Sequence, residues 1–251
     1  MKNQQFNIAV QKLHAATSIA VITGAGVSAE SGIPTFRGAG GLWDQFSIED
    51  LATPEGFQRN PRLVWEWYSW RRNEYGNAQP NPAHYTIAAM EAYYPEFLLI
   101  TQNIDTLHSK AGSTKLLEIH GNIYKARCTE CETVFDNLYT SLPEDLIRCP
   151  ACHALARPHI VWFGELYDMR LINQATAFLA TTDVVIVVGT SGMVSTPVYF
   201  ALEALQHGAY VIDINPEVSE VSGHAHCHLQ EKAGIALPKL WEAIKTHKTA
   251  L

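Results

Sequence analysis

Short uninterrupted apolar runs alternate along this chain with longer stretches in which apolar residues recur at helical spacing. Residues 19–22, 97–101, 184–188 and 210–214 have the length and composition of buried strands, and Leu116, Leu117 and Ile119 mark another. Phe6, Ala9, Val10 and Leu13 repeat as one face of an amphipathic helix, and Leu63, Val64, Trp67, Tyr68 and Arg71 do the same over 61–75. A tryptophan-rich stretch over 42–72 reads as helical, with Thr53 as a cap and Pro54 in the turn after it. Further helices are expected over 171–179, about 197–207 and 238–246. Strand, helix and strand within 184–214 form a βαβ unit, which requires a parallel sheet. The expected fold class is α/β, a Rossmann-like parallel sheet with helices on both faces.

The ends of these strands carry the candidate chemistry. Gly24, Gly26 and Ala29 follow the first run at the GxGxxA spacing that lets main-chain N–H groups approach a dinucleotide pyrophosphate at a helix start. The acidic residue that a Rossmann unit places about 20 residues later has no clear candidate. The turn instead runs on through Ser28, Glu30, Ser31, Gly32, Ile33, Pro34, Thr35, Phe36 and Arg37. Polar residues just beyond the carboxyl end of a parallel strand are where an open α/β sheet holds its ligand. Gln102, Asn103, Ile104 and Asp105 follow the run at 97–101, His120 follows Ile119, Gly189, Thr190 and Ser191 follow 184–188, and Asn215, Pro216 and Glu217 follow 210–214. A single Asn or Asp there is equally explained by a capped loop, and a lone His after a strand is more often structural than catalytic.

Two side-chain groupings add to this. Tyr68 and Arg71 are three residues apart and share a helix face, where a guanidinium fork and a phenol hydroxyl together suit a carboxylate; a surface Arg beside a core Tyr is the plain alternative. Arg72 projects about 100° away around the helix and is expected to take no part. Cys128 and Cys131, with Cys149 and Cys152, are two complete CxxC pairs. Four thiolates at that spacing suit a closed tetrahedral zinc site that leaves no position for water, and so holds a small insert together. His224, His226, Cys227 and His228 form a compact His/Cys tract whose donors suit a metal; the favoured reading is an alternating strand near the adenine end, because alternation sends its side chains to opposite faces.

Composition narrows the function class. A chain of 251 residues, 47% hydrophobic, has enough apolar material for a substantial core. Its net charge of −7 provides no general basic field for a nucleic-acid backbone. No apolar stretch reaches the roughly 18 residues of a membrane span, and residues 1–10 have neither a signal-peptide core nor an Arg-rich transit pattern. A cytoplasmic protein with no direct nucleic-acid or membrane partner is expected, in which paired cysteines read as metal ligands rather than disulfides.

The stretch TGAGVSAESGIPTFRGAGGLW at 23–43, the string TQNIDTLH at 101–108, His120 one strand later and VWFGE at 161–165 closely resemble the sirtuins, the NAD-dependent protein lysine deacylases, and the likeness runs from about 20 to 240. Thr35 stands where many members carry Asp. With the Phe-Arg-Gly-Ala-Gly-Gly run after it and TyrXxxArg at Tyr68 and Arg71, the chain resembles the class III branch, which recognises succinyl, malonyl and glutaryl lysine. The resemblance implies NAD as co-substrate, bound along Gly24, Ala25, Gly26, Ser28, Glu30, Thr35, Phe36, Arg37 and Trp43. It extends that binding along Gln102, Asn103, Ile104 and Asp105, and to Gly189, Thr190, Ser191, Asn215, Glu217 and Ala233 towards the adenosine. It further implies His120 as general base, Asn103 and Asp105 facing the nicotinamide and its ribose, and Val161, Phe163, Gly164, Glu165 and Val194 along an acylated-lysine peptide. One structural Zn2+ belongs to Cys128, Cys131, Cys149 and Cys152. The implied organisation is one catalytic domain, its Rossmann-like part at about 1–40, 85–122 and 160–251, a helical insert at about 41–84 and a zinc-binding insert at about 123–159; a monomer is expected.

The implied reaction joins NAD, water and acyl-lysine to give nicotinamide, free lysine and O-acyl-ADP-ribose. Mono-ADP-ribosyl transfer to protein uses the same NAD cleavage, and a non-catalytic NAD-sensing module is a third reading. The TyrXxxArg pair argues against the former and intact His120, Asn103 and Asp105 against the latter.

Overall fold

The computed structural model describes residues 2–36, 41–137, 141–193 and 195–247. Helix α1 (Lys2–Ala15) leads into strand β1 (Ser18–Thr23) and a single helical turn, α2 (Gly26–Ala29). A 3-10 turn at Leu42–Asp44 precedes α3 (Ile48–Leu51), α4 (Pro54–Arg59), α5 (Pro61–Tyr75) and α6 (Pro82–Tyr93). Then come β2 (Glu96–Thr101), α7 (Leu107–Lys110), β3 (Leu116–Glu118), β4 (Gly121–Cys128), β5 (Val134–Asp136) and β6 (Ala156–Ile160). The chain ends with α8 (Met169–Leu179), β7 (Val184–Val188), α9 (Ser195–Gln206), β8 (Tyr210–Ile214), β9 (Cys227–Leu229) and α10 (Ala233–His247).

Six strands form one sheet in the order β3-β2-β1-β7-β8-β9, every neighbouring pair parallel. That is the doubly wound arrangement, in which the order reverses beside β1 and ligands bind beyond the carboxyl ends of the strands. Every residue of β1 is buried. Ile19 and Val21 pack with Leu13, Ile87 and Leu237 on one face, while Ala20 and Ile22 pack with Leu179 and Phe200 on the other. Burying a side chain of this size is worth roughly 1.5–3 kcal/mol, so all-apolar runs are driven to positions covered on both sides. Register then aligns the strand ends: Thr23 pairs with Thr101 and Val188, and Val188 with Ile214. The turns that follow emerge along one edge.

A separate antiparallel sheet, β5-β4-β6, packs with α4 and α5 through Phe57, Val64, Trp65, Ile123, Ile147 and Trp162. This third core forms the wall opposite the main sheet.

Several expectations are corrected in detail. The tryptophan-rich stretch is broken into a 3-10 turn and three helices because Pro54 and Pro61 each open a new helix. Thr53 Oγ1 accepts the Gly56 N–H at 3.0 Å and Asn60 Oδ1 the Leu63 N–H at 3.1 Å. Only Cys227–Leu229 of the His/Cys tract is strand; His226 Nδ1 instead accepts the Val211 N–H at 3.0 Å. Helix α10 starts at Ala233, ahead of Pro238, and its first turn is held from outside by Glu30, whose Oε2 accepts the Gly234 N–H at 2.7 Å. Among the described residues no helix is long and apolar enough to cross a membrane.

Candidate functional site

A cleft of about 1020 Å3 runs along the carboxyl edge of the sheet, between the strand-end turns and the wall formed by α5 and the segment after β6. At its centre the β1–α2 turn and the end of β7 are in close contact. Gly26 N–H donates to the Gly189 carbonyl at 2.8 Å, and a Cβ on Gly26 would lie 2.7 Å from that oxygen. Gly189 has φ +60, and a Cβ there would lie 2.5 Å from Val27 N. Gly24, Ala25 and Gly26 line the cleft. Because α2 is one turn long, it offers a phosphate little of the aligned dipole expected from a full helix, and the N–H groups of Gly24, Gly26, Val27 and Ser28 already donate to main-chain carbonyls.

Behind this turn runs a polar chain. Asn103 Nδ2 donates to Ser28 Oγ at 3.1 Å, and Ser28 Oγ donates to Asp105 Oδ2 at 2.7 Å. Asp105 Oδ1 accepts the Leu107 N–H at 2.9 Å, and Thr106 between them has φ 66, a left-handed conformation that a β-branched residue adopts at a cost. Asn103 and Ile104 line the cleft, while Ser28 and Asp105 sit behind them. Gln102 Nε2 donates to the Thr23 carbonyl and to Thr190 Oγ1, each at 3.2 Å. His120 lines the same wall. Burial pushes its pKa down to about 4, against a main-chain hydrogen bond at Gln102 that favours the charged ring. The imidazole is therefore neutral at pH 7. Its Nε2 lies 3.2 Å from the Tyr167 hydroxyl, and the two rings stack at 5.6 Å.

The end of the cleft beside α5 is aromatic. Trp43 stacks on Trp67 at 5.6 Å and meets Phe36 at 5.3 Å and Phe163 at 6.2 Å. The Arg71 guanidinium lies among these rings, 4.8 Å from Trp67, 4.9 Å from Phe36 and 5.9 Å from Tyr68. Arg71 is 5% exposed, and among the described residues its Nε has no hydrogen-bond partner and it makes no ion pair. Arg72 is indeed turned elsewhere, donating to the Asn137 carbonyl at 2.9 Å and to Ser69 Oγ at 3.3 Å. Tyr68 Oη accepts the Trp162 Nε1–H at 2.9 Å, and burial pushes the phenol pKa up to about 12.

Val161, Phe163, Gly164 and Glu165 line the rim. The N–H groups here are largely used already: Val161 donates to the His120 carbonyl, Phe163 to the Ala52 carbonyl and Trp162 to Glu165 Oε2. The Glu165 carboxylate also carries the Arg157 ion pair, and the Glu165 N–H donates to the Trp162 carbonyl at 3.1 Å. At the far end, Asn215 Nδ2 donates to the Thr190 carbonyl at 2.8 Å and Asn215 Oδ1 accepts the Glu217 N–H at 3.3 Å. Glu30, Thr35, Gly189, Thr190, Ser191, Asn215, Glu217 and Ala233 all line the cleft. Arg37 and Val194 lie outside the described residues. Sequence reasoning did not single out Ala52, Trp162 or Tyr167, which line the cleft too. Trp162 is the second residue of the VWFGE run and Tyr167 follows that run, and an aromatic with a polar atom beside a candidate site was the signal available.

Cys128, Cys131, Cys149 and Cys152 come together with all four Sγ atoms within 4.8 Å of one another. Sulfur separations of 3.4, 3.5 and 3.6 Å fit four ligands about 2.3 Å from one ion. The donor set is consistent with one structural zinc.

A doubly wound sheet with a glycine turn at its switch point is the arrangement of a dinucleotide-binding fold, and the cleft beside it joins a neutral His to a cationic aromatic pocket. The chain belongs to the Sir2 family, whose sequence profile matches residues 24–196. It is 52% identical over 227 residues to an NAD-dependent protein deacylase of Leptospira interrogans, covering 88% of this chain and 91% of that one. It is 47% identical to an NAD-dependent protein deacylase of Aquifex aeolicus, covering 91% and 95%. A solved Sir2 homolog–NAD complex superimposes with a TM-score of 0.89 at 38% identity, over 96% of this chain and 94% of that one.

Proposed function

We propose that this protein uses NAD to remove acyl groups from lysine side chains, that it favours acyl groups ending in a carboxylate (succinyl, malonyl or glutaryl), and that it also accepts acetyl. NAD-dependent protein deacylation is the activity for which its relatives are named, and it accords with membership of the Sir2 family. The acidic preference rests on one observation. Arg71 is a buried cation at the cleft wall, surrounded by rings and without an ion pair among the described residues. A guanidinium stays protonated in proteins, and a buried charge lacking a partner is strongly destabilising. A ligand carboxylate supplies that partner, and the Tyr68 hydroxyl adds a second donor.

NAD supplies a ribose carbon that becomes electrophilic as nicotinamide departs. The residues of this chain orient that event. Asn103, braced by Ser28 and Asp105, faces the nicotinamide side, and the Gly24–Gly26 turn accommodates the phosphates. His120, neutral at pH 7, takes a ribose hydroxyl proton on Nε2. Incubating one peptide carrying acetyl, succinyl, malonyl or glutaryl lysine with enzyme and NAD, with products resolved by mass, tests the reading. Free lysine and O-acyl-ADP-ribose are expected, with kcat/KM for succinyl above that for acetyl. Equal or reversed constants overturn the acidic preference, and ADP-ribosylated protein without freed lysine favours the transferase reading.

A further inference from the structure

The Tyr68 hydroxyl is constrained in which way it can bond. An indole N–H is a donor only, so the 2.9 Å contact from Trp162 Nε1 makes the Tyr68 oxygen the acceptor and leaves the phenol proton to be given elsewhere. Both residues are buried, Tyr68 2% and Trp162 3% exposed, so solvent does not reset this arrangement. Among the described residues Tyr68 donates to no partner, and it lines the cleft beside Arg71.

Trp162 is itself held from three sides. Its main-chain N–H donates to Glu165 Oε2 at 2.8 Å, the Arg157 guanidinium lies 3.5 Å over its ring, and Phe57 packs at 5.4 Å. Arg157 in turn grips Glu165 and donates to the Ile160 carbonyl at 2.8 Å. The indole therefore reaches across 94 residues of sequence from a rigid mount to a single atom of the acyl pocket.

We propose that Trp162 is a specificity-positioning residue, which holds the Tyr68 hydroxyl as a donor to the acyl carboxylate and thereby sets acyl selectivity together with Arg71. The inference rests on the acidic-acyl reading above. A phenylalanine in place of Trp162 keeps an aromatic ring between Arg157 and Phe57 but removes the N–H. The hydroxyl is then free to turn its proton away from the pocket, and its donation to a carboxylate is no longer enforced.

The test measures kcat and KM for succinyl- and acetyl-lysine forms of one peptide, at saturating NAD, for the full chain, Trp162→Phe, Tyr68→Phe and the double variant. The succinyl-to-acetyl ratio of kcat/KM is expected to fall about three- to tenfold in Trp162→Phe, the worth of one neutral hydrogen bond, mainly through the succinyl KM. In the Tyr68→Phe background the same change is expected to leave the ratio where Tyr68→Phe put it, because the hydroxyl through which Trp162 acts is gone. An unchanged ratio in Trp162→Phe, or an undiminished effect without the Tyr68 hydroxyl, overturns the inference while a wild-type succinyl preference leaves the acyl reading standing. A wild type with no succinyl preference overturns both. Should Trp162→Phe not fold, the wild-type indole N–H resonance, identified by its shift in Tyr68→Phe, gives an independent answer. It is expected to move on adding the succinyl-lysine peptide and not the acetyl-lysine peptide, and equal behaviour with both overturns the proposal.

Discussion

His120 Nε2 and the Tyr167 hydroxyl lie 3.2 Å apart, with the two rings stacked. The nitrogen that the proposed mechanism needs as an acceptor is thus already occupied, and a ribose hydroxyl must take the place of Tyr167 before proton transfer. His120→Ala is expected to slow deacylation by about a hundredfold to ten-thousandfold, with NAD affinity by calorimetry changing little. The pH dependence follows from the pKa near 4. The base is competent above that value, so kcat/KM should hold level from neutral pH down and fall only as pH approaches 4. Comparable turnover in the variant, or an acid limb at the ordinary imidazole pKa of about 6.5, contradicts the assignment.

Two histidines packed together predict how stability responds to acid, and His120 and His159, whose pKa values burial also pushes down to about 4, act in the same sense. His84 and His108 are buried, their ring centroids are 4.7 Å apart, and burial pushes their pKa values down to about 4 and about 3. Both are held neutral in the folded protein. Below the ordinary pKa of about 6.5 the unfolded chain takes up protons that the folded chain refuses, so stability drains as pH falls from there and levels off only near the folded values. The buried Asp213 and the half-buried Glu118, whose pKa values are raised, act in the opposite sense. The pKa values of His84 and His108 fall from about 6.5 to about 4 and about 3, and their effect should dominate. Thermal midpoints measured from pH 7 to 4.5 should decline steadily, and the decline should shrink in His108→Gln; a flat profile contradicts this account.

The zinc cage makes a separate prediction. Purified protein should contain one zinc per chain, and Cys149→Ala, which removes a buried ligand, should release it and unfold the β4–β6 sheet before the main sheet. Because β6 runs on into Trp162 and the rim of the cleft, activity should fall with it. Protein that binds no zinc, or a variant that keeps both metal and activity, contradicts the structural role.

The sheet was legible because its strands are nearly unbroken apolar runs whose only covered position is the centre of the molecule, as β1 and β7 illustrate. The i, i+3 spacing of Tyr68 and Arg71 was legible for the same kind of reason, since helix geometry is local. Trp162 was not, because its contact with Tyr68 depends on how β6 returns from the zinc-binding insert. Nor was the early start of α10 legible, since the anchor for its first turn is Glu30, far away in sequence. The single turn of α2 was missed because a glycine spacing marks where a helix begins and says nothing of how soon Gly32, at φ 85, ends it.

The central claim is that Arg71 selects the acyl group, and the ratio of succinyl to acetyl kcat/KM in Arg71→Met tests it most directly. A charge-assisted hydrogen bond is worth roughly 1.5–3 kcal/mol, about ten- to hundredfold at 1.4 kcal/mol per decade. The ratio should fall by that factor, because acetyl has no carboxylate to lose the guanidinium, and it should fall further than in Tyr68→Phe, which removes a neutral donor. Succinyl and acetyl constants that drop in equal proportion would contradict the account and return Arg71 to a part in the fold or in NAD binding.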